Sequence, residues 1–308
     1  MITGGGGFIG SQLADRLAAS DHEVVVIDNF ATGRRSNLDG RQGVTLVEGD
    51  IGETDDLEAA FSAIGAPDVV VHAAASYKDP EAWVEDVRTN AIGTANVVRA
   101  TQAAGCERIV YFQTALCYGT RPLEQPITLS HPVRPDSSYA ISKTAGEQYI
   151  EMSGLDWVSF RLANAYGPRN ISGPLPTFFQ RLTAGKPVFV MDTRRDFVFI
   201  DDLIDLVWQA VVDGRGHGTY HASSGSDYAI KELLDATLAA LQIQLDEEVE
   251  VRPRSADDAY TILLDPTRVQ EEFGWRPKTP LEEGAKRAID SYREHGIAET
   301  FTHLKAPT

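Results

Sequence analysis

Through its first half the chain alternates short apolar runs with amphipathic stretches. Val24-Val25-Val26-Ile27, Val44-Thr45-Leu46-Val47, Val69-Val70-Val71 and Ile109-Val110-Tyr111-Phe112 are rich in β-branched residues and bounded by polar ones. Such runs predict strands buried on both faces, as in a parallel sheet covered by helices. Between them apolar residues recur at helical spacing, at Leu13 and Leu17 and at Leu57 and Phe61. A long amphipathic stretch runs from Trp83 to Ala104. Val158-Ser159-Phe160-Arg161-Leu162 predicts a sixth strand. Strand-helix alternation of this kind predicts an α/β fold with a doubly wound parallel sheet, a Rossmann domain. Met1-Ile2-Thr3 leads directly into Gly4, so the first strand is either very short or trimmed.

After Tyr166 the pattern breaks. Pro168, Gly173, Pro174, Pro176, Gly185 and Pro187 interrupt residues 167–187, and shorter elements follow. This part predicts a smaller C-terminal α/β substrate-binding lid over the carboxyl edge of the sheet. The expected division is a nucleotide-binding domain over 1–165, with 196–222 returning to it, and a mainly substrate-binding domain over 166–308.

Charge narrows the partners. The 308 residues carry a formal net charge of −17, which argues against broad binding to nucleic acid or anionic membranes. A few local arginines still suffice for an anionic small molecule. No apolar run reaches the length of a membrane span and no signal peptide is visible. The two cysteines, Cys106 and Cys117, form no disulfide framework or metal motif and read as reduced thiols of a cytoplasmic protein. The seven histidines form no metal cluster, and no metal is expected.

Candidate chemistry begins with Thr3-Gly4-Gly5-Gly6-Gly7-Phe8-Ile9-Gly10, ahead of a predicted helix. Glycines at 4, 7 and 10 let backbone approach a pyrophosphate, and the helix N-terminus offers N–H groups to it. Asp28 ends the second strand, where a carboxylate accepts hydrogen bonds from ribose hydroxyls and repels a 2′-phosphate, favouring NAD over NADP. Arg34 and Arg35 nearby keep NADP open. Asp50-Ile51 follows the third strand and is placed to contact adenine. The small residues of His72-Ala73-Ala74-Ala75 follow the fourth, with His72 itself read as structural. Tyr139 and Lys143 lie four apart, one turn apart on one helix face. A phenol has a pKa of about 10, and a nearby cation lowers it. The pair is a proton-transfer device only if other features support it.

Together these residues resemble the extended short-chain dehydrogenase/reductase family, in its NAD-dependent sugar-nucleotide epimerase/dehydratase branch. The markers run in order over nearly the whole chain: Thr3 to Gly10, Asp28-Asn29, Asp50-Ile51, His72-Ala73-Ala74, Asn90, Thr114 to Gly119, Tyr139/Lys143, Arg161 to Arg169, Arg195 to Asp202 and Phe273-Gly274-Trp275. The resemblance implies that Tyr139 is the base and that Lys143 binds the nicotinamide ribose and lowers the phenol's pKa. It places Thr114 on the reacting hydroxyl. It adds Asn29, Phe30, Thr32, Gly33, Asn90 and Ala163 to the NAD site. Asn164, Arg195 and Arg254 would hold the substrate diphosphate, with Lys78, Tyr77 and Tyr260 as candidates around the sugar. The helices at 83–104 and 139–152 often form a homodimer's four-helix bundle in this family; periodicity alone allows them equally to cover the sheet.

The two residues after Thr114 point to the reaction. Dehydratases of the family carry Asp-Glu directly after the threonine, and decarboxylases a Glu two positions on. Here Ala115 and Leu116 transfer no proton. The expected activity is therefore C4 epimerisation of a UDP-hexose, or its N-acetyl or uronic-acid form, through a 4-keto sugar. A 4-ketoreductase consuming NADH is the first alternative. A decarboxylase, a dehydratase and a non-catalytic NAD-binding regulator are the remaining ones. The chain departs from the family at Gln113, where a small serine is common, and at Cys117, where valine is common. It departs again at Val190 to Arg194, shorter than the usual loop near the nucleotide base.

Overall fold

The computed structural model describes residues 1–77, 79–254, 258–297 and 300. The central sheet has seven strands. In spatial order they are Gly218–Ala222, Asp156–Leu162, Arg108–Thr114, Val69–His72, Ile2–Thr3, Val24–Asp28 and Val44–Glu48. Ile2 pairs in parallel with both Val26 and Val71, Val26 with Leu46, and Val71 with Val110. Chain order reverses at Ile2–Thr3, which makes the ends of this strand and of Val69–His72 the switch point where a doubly wound sheet takes its ligand. All five apolar runs are strands, and the doubly wound parallel fold is present. Gly218–Ala222 is a seventh strand.

Two compact units share the chain. The first comprises residues 1–119, 133–161 and 204–220; the second comprises 120–132, 162–203 and 221 onward. In the first unit, helix Phe8–Ala18 buries Leu13, Ala14 and Leu17, and helix Thr54–Ile64 buries Leu57, Ala60 and Phe61. These are the faces that the periodicity marks. Ile27, Ile51, Val70, Val97 and Ile109 join Leu57, Ala60 and Phe61 in one apolar cluster. Ser137 caps helix Ser138–Glu151 by accepting from the Ala140 N–H at 3.2 Å.

The stretch from Trp83 is helical to Ala103 but not uniform. Trp83–Asp86 and Thr94–Ala103 are α-helical, and Val87–Gly93 between them is a π-helix. Such segments are rare and concentrate at functional positions.

In the second unit, short strand pairs lie beside helices Pro174–Thr183, Ile230–Leu241 and Leu281–His295. Phe197–Phe199 pairs in parallel with Asn164–Tyr166, and Arg194–Arg195 pairs antiparallel with Tyr228–Ala229.

Candidate active site

The glycine loop turns directly out of strand Ile2–Thr3. Gly4 has φ of +68°, and a Cβ there would lie 2.5 Å from the Ala74 nitrogen. At Gly10 a Cβ would lie 2.4 Å from the Gly4 carbonyl oxygen. Both positions are glycine because backbone packs on backbone. Gly7 differs: its Cβ would meet only the Gly4 oxygen, at 3.1 Å. It begins helix Phe8–Ala18 without a side-chain cap, so the first-turn N–H groups, those of Phe8 and Ile9 among them, are left to an external acceptor. An uncapped N-terminus approached over glycine fits a dinucleotide pyrophosphate.

Asp28 is buried at the end of its strand and accepts from the Gly6 N–H at 2.8 Å and the Phe30 N–H at 2.7 Å. Burial raises its pKa, and the two backbone donors pull it back. Phe30 turns the chain at φ +55°, and a Cβ on Gly33 would lie 2.8 Å from the carboxylate. The loop thus folds around one acid, as a ribose site needs. Asn29 donates to Asp50 at 3.1 Å. Ile51 is core, 4% exposed. Thr32 hydrogen-bonds Tyr77. Arg35 pairs with Glu48 and stacks on Phe30.

His72 is fully buried between the Thr3 hydroxyl, 2.7 Å away, and the Thr94 hydroxyl, 2.8 Å away. Burial lowers its pKa to about 3, so it is a neutral structural residue. The next residues run against the glycine loop, with the Ala73 N–H bonded to the Thr3 carbonyl at 3.0 Å. Ala75 is half-buried on the same segment. Asn90 lies in the π-helix. Its Nδ2 donates to the Ser76 carbonyl at 2.9 Å and to the Ser142 hydroxyl at 3.0 Å, and its Oδ1 accepts from the Ser76 N–H at 2.9 Å.

Thr114, Tyr139 and Lys143 converge in the first unit. Thr114 ends its strand, and its hydroxyl hydrogen-bonds the Tyr139 phenol. Lys143 is 3% exposed, with its Nζ 3.9 Å from the centre of the Tyr111 ring. Burial draws its pKa down to about 7, against a smaller upward pull from Glu147. The phenol of Tyr139 moves the other way from the resemblance's expectation. Burial pushes its pKa well above 10, Tyr77 and Asp86 push it further, and only the Thr114 bond opposes them. The reason is desolvation: burial disfavours the charged phenolate, and this outweighs the support that the site gives it.

In the second unit Asn164 donates to the Asp196 carbonyl at 3.1 Å, and Ala163 bonds through its N–H to Ala222 at 3.0 Å. Arg195 binds the Asp258 carboxylate at 2.6 Å, and Arg254 donates to the Asp258 carbonyl at 2.9 Å. The two arginines therefore meet at Asp258, and both are engaged there. Tyr260 is 46% exposed. Lys78 lies outside the described residues.

Sequence reasoning missed Asp86, which sits one turn ahead of Asn90 and is 1% exposed. One of its oxygens accepts from the Ser76 hydroxyl at 2.9 Å, and the other is buried without a partner. It missed Tyr111 and Glu147 as well. Only helical spacing from Lys143 could have pointed to Glu147. Among the described residues no cluster suits a metal ion, and no helix is long and apolar enough to cross a membrane.

Known proteins resemble this chain over most of its length. The model of the NAD dependent epimerase/dehydratase family matches residues 1–222. The enzyme WbmH of Bordetella bronchiseptica, solved in complex with NAD+, is 52% identical over 96% of this chain and 98% of its own, with a TM-score of 0.92. The UDP-glucose 4-epimerase of Mycolicibacterium smegmatis is 33% identical over 95% of this chain and 98% of its own. UDP-glucuronic acid decarboxylase 1 of Arabidopsis thaliana is 29% identical over 97% of this chain and 71% of its own. The chain belongs to the NAD dependent epimerase/dehydratase family.

Proposed function

We propose that this protein inverts C4 of a UDP-linked hexose, in its neutral, N-acetyl or uronic-acid form, using NAD. One observation carries the reading. Thr114, Tyr139 and Lys143 are gathered, while the two positions after Thr114 are Ala115 and Leu116, which donate and accept no proton. Elimination and decarboxylation both call for a further acid or base there; reversible oxidation does not. The curated epimerase and decarboxylase relatives are both named for UDP sugars, which supports the nucleotide.

Bound NAD supplies the hydride acceptor and donor at C4. Tyr139 takes the C4 hydroxyl proton and later returns it, with the Thr114 hydroxyl holding that oxygen. In the protein alone burial keeps the phenol protonated, so phenolate needs a cation beside it. Lys143, poised near neutrality, and a positively charged nicotinamide are the two cations this site would offer. Gly7 and the helix start after it hold the pyrophosphate, and Asp28 the adenosine ribose. Asn164, Arg195 and Arg254 hold the substrate diphosphate, with Arg195 leaving Asp258 as it does so. Exposed apolar residues on helices 83–103 and 138–151 pair a second copy of the chain.

The test is incubation with a panel of UDP-hexoses and catalytic NAD, with sugar configuration read by NMR. Stereoisomer exchange without net NADH change supports the epimerase. Stoichiometric NADH use replaces it with the 4-ketoreductase, and release of carbon dioxide from a uronic acid replaces it with a decarboxylase.

A further inference from the structure

Tyr139, Lys143 and Glu147 form one stripe on helix Ser138–Glu151, spaced four and four. Glu147 is 4% exposed and fixed from the neighbouring strand. Arg161 approaches it with Nη2 at 2.8 Å and Nε at 3.2 Å, and the Ser159 hydroxyl donates at 2.6 Å. The remaining Arg161 nitrogen, Nη1, donates to the Tyr118 hydroxyl at 2.6 Å. A buried ion pair saturated in this way is a rigid anchor.

Gln113 joins that anchor to the reacting strand. It is 1% exposed. Its Oε1 accepts from the Thr114 N–H at 2.8 Å, and its Nε2 points to Glu147 Oε2 at 3.4 Å. Both partners dictate the same amide orientation, oxygen to the N–H and nitrogen to the carboxylate. A serine, the common residue here, is too short to span the two. Gln113 lies next to Thr114 in sequence, yet through Glu147 it reaches the helix that carries Tyr139 and Lys143.

We infer that Gln113 is a positioning residue, bracing Thr114 against the Tyr139–Lys143–Glu147 stripe so that hydroxyl, phenol and ammonium keep one geometry. The inference deepens the epimerase reading and rests on it for its kinetic consequence. Positioning errors of about 1 Å cost up to about a hundredfold in rate. Gln113→Met keeps the length and apolar stem but removes both polar contacts.

The test pairs kinetics with amide exchange. Relative to wild type, Gln113→Met is expected to lower kcat about 10- to 100-fold, with KM for the UDP-sugar and NAD affinity within about twofold. The isotope effect on kcat with C4-deuterated sugar is expected to rise, because the chemical step becomes limiting. Faster amide exchange in the peptide covering 108–118 is expected without any substrate. Unchanged kcat in an active enzyme, or equal losses in kcat, KM and thermal midpoint, overturns the brace. Should Gln113→Met not fold, Gln113→Glu retains the acceptor for Thr114 but faces Glu147 with like charge. It is then expected to give the kcat loss and a shifted pH profile, and a wild-type kcat and profile overturn the brace. A wild type that exchanges no sugar stereochemistry, with 108–118 still loosened in the variant, fails the epimerase reading and leaves the brace standing.

Discussion

Lys143 and Tyr111 hold each other at both ends: the ammonium lies 3.9 Å above the ring centre, and the ring's hydroxyl donates to the Lys143 carbonyl at 3.0 Å. The aromatic face supports the ammonium, yet burial in the core outweighs that and draws its pKa down to about 7. Unfolded, the same side chain titrates at about 10.4. Between these values the unfolded chain binds more protons than the folded one, so stability rises with pH across that window. Lys143→Met removes this dependence. Urea unfolding of the apo protein at pH 6 and pH 9 is expected to show wild type gaining on the variant at the higher pH. A constant difference would disprove the lowered pKa.

Asp86 and Tyr139 repel as anions. Asp86→Asn removes the charge but keeps an acceptor for Ser76, so the phenol's pKa should fall. The rising limb of kcat against pH is then expected to move to lower pH. Tyr139→Phe abolishes turnover while NAD affinity stays within about threefold, as measured by fluorescence titration; turnover above a hundredth of wild type rules out Tyr139 as the base.

The glycines separate into packing and ligand roles. Gly4→Ala forces a left-handed φ on a residue with a Cβ, costing at least about 1–2 kcal/mol before the clash with Ala74 is counted. It is expected to lower the thermal midpoint with or without NAD. Gly7→Ala has nearly enough room in the protein itself, so its thermal midpoint should stay close to wild type while NAD binds at least about tenfold more weakly. Equal NAD affinity in Gly7→Ala would remove the pyrophosphate from this position.

Much of this was legible in the chain. The β-branched runs announced the strands because a strand covered on both faces admits little else. Asp28 was legible because a lone acid closing such a run has few structural uses. The Gln113 contact was not, since its partner lies 34 residues away and an amide carries no periodic signal. The π-helix was also hidden, because Trp83 to Ala104 shows the same amphipathic pattern whether or not one turn is widened. The direction of the Tyr139 shift was missed because spacing shows a cation's proximity but not the burial of the phenol.

Glu147 and Arg161 form a buried pair whose partners depend on each other. Glu147→Leu strands a guanidinium and is expected to cost about 3–5 kcal/mol, whereas Glu147→Leu with Arg161→Met should recover much of it. Denaturant unfolding of the three variants tests this, and additive losses would mean that the charges do not couple.

Helices 83–103 and 138–151 and the cap residue after the second expose Val84 at 84%, Met152 at 76%, Trp83 at 64% and Ile141 at 54%. The proposed pairing with a second copy of the chain would cover these residues. Sedimentation is expected to find a homodimer that Val84→Glu with Ile141→Glu converts to monomer. A wild type that sediments as a monomer at micromolar concentration removes the proposed pairing.

The widened turn at Val87–Gly93 has a consequence for inheritance. Each residue of a helix turns the chain by about 100°. Deleting one residue from this turn would restore the ordinary winding and keep the flanking helices in phase, but it would shift Asn90 within the turn that holds it between Ser76 and Ser142. Asn90 would then lose either Ser76 or Ser142. A wide turn at this place is a reading-frame choice in three dimensions, and single-residue deletions between 87 and 93 should be far less tolerated than those in the loop at 40–43.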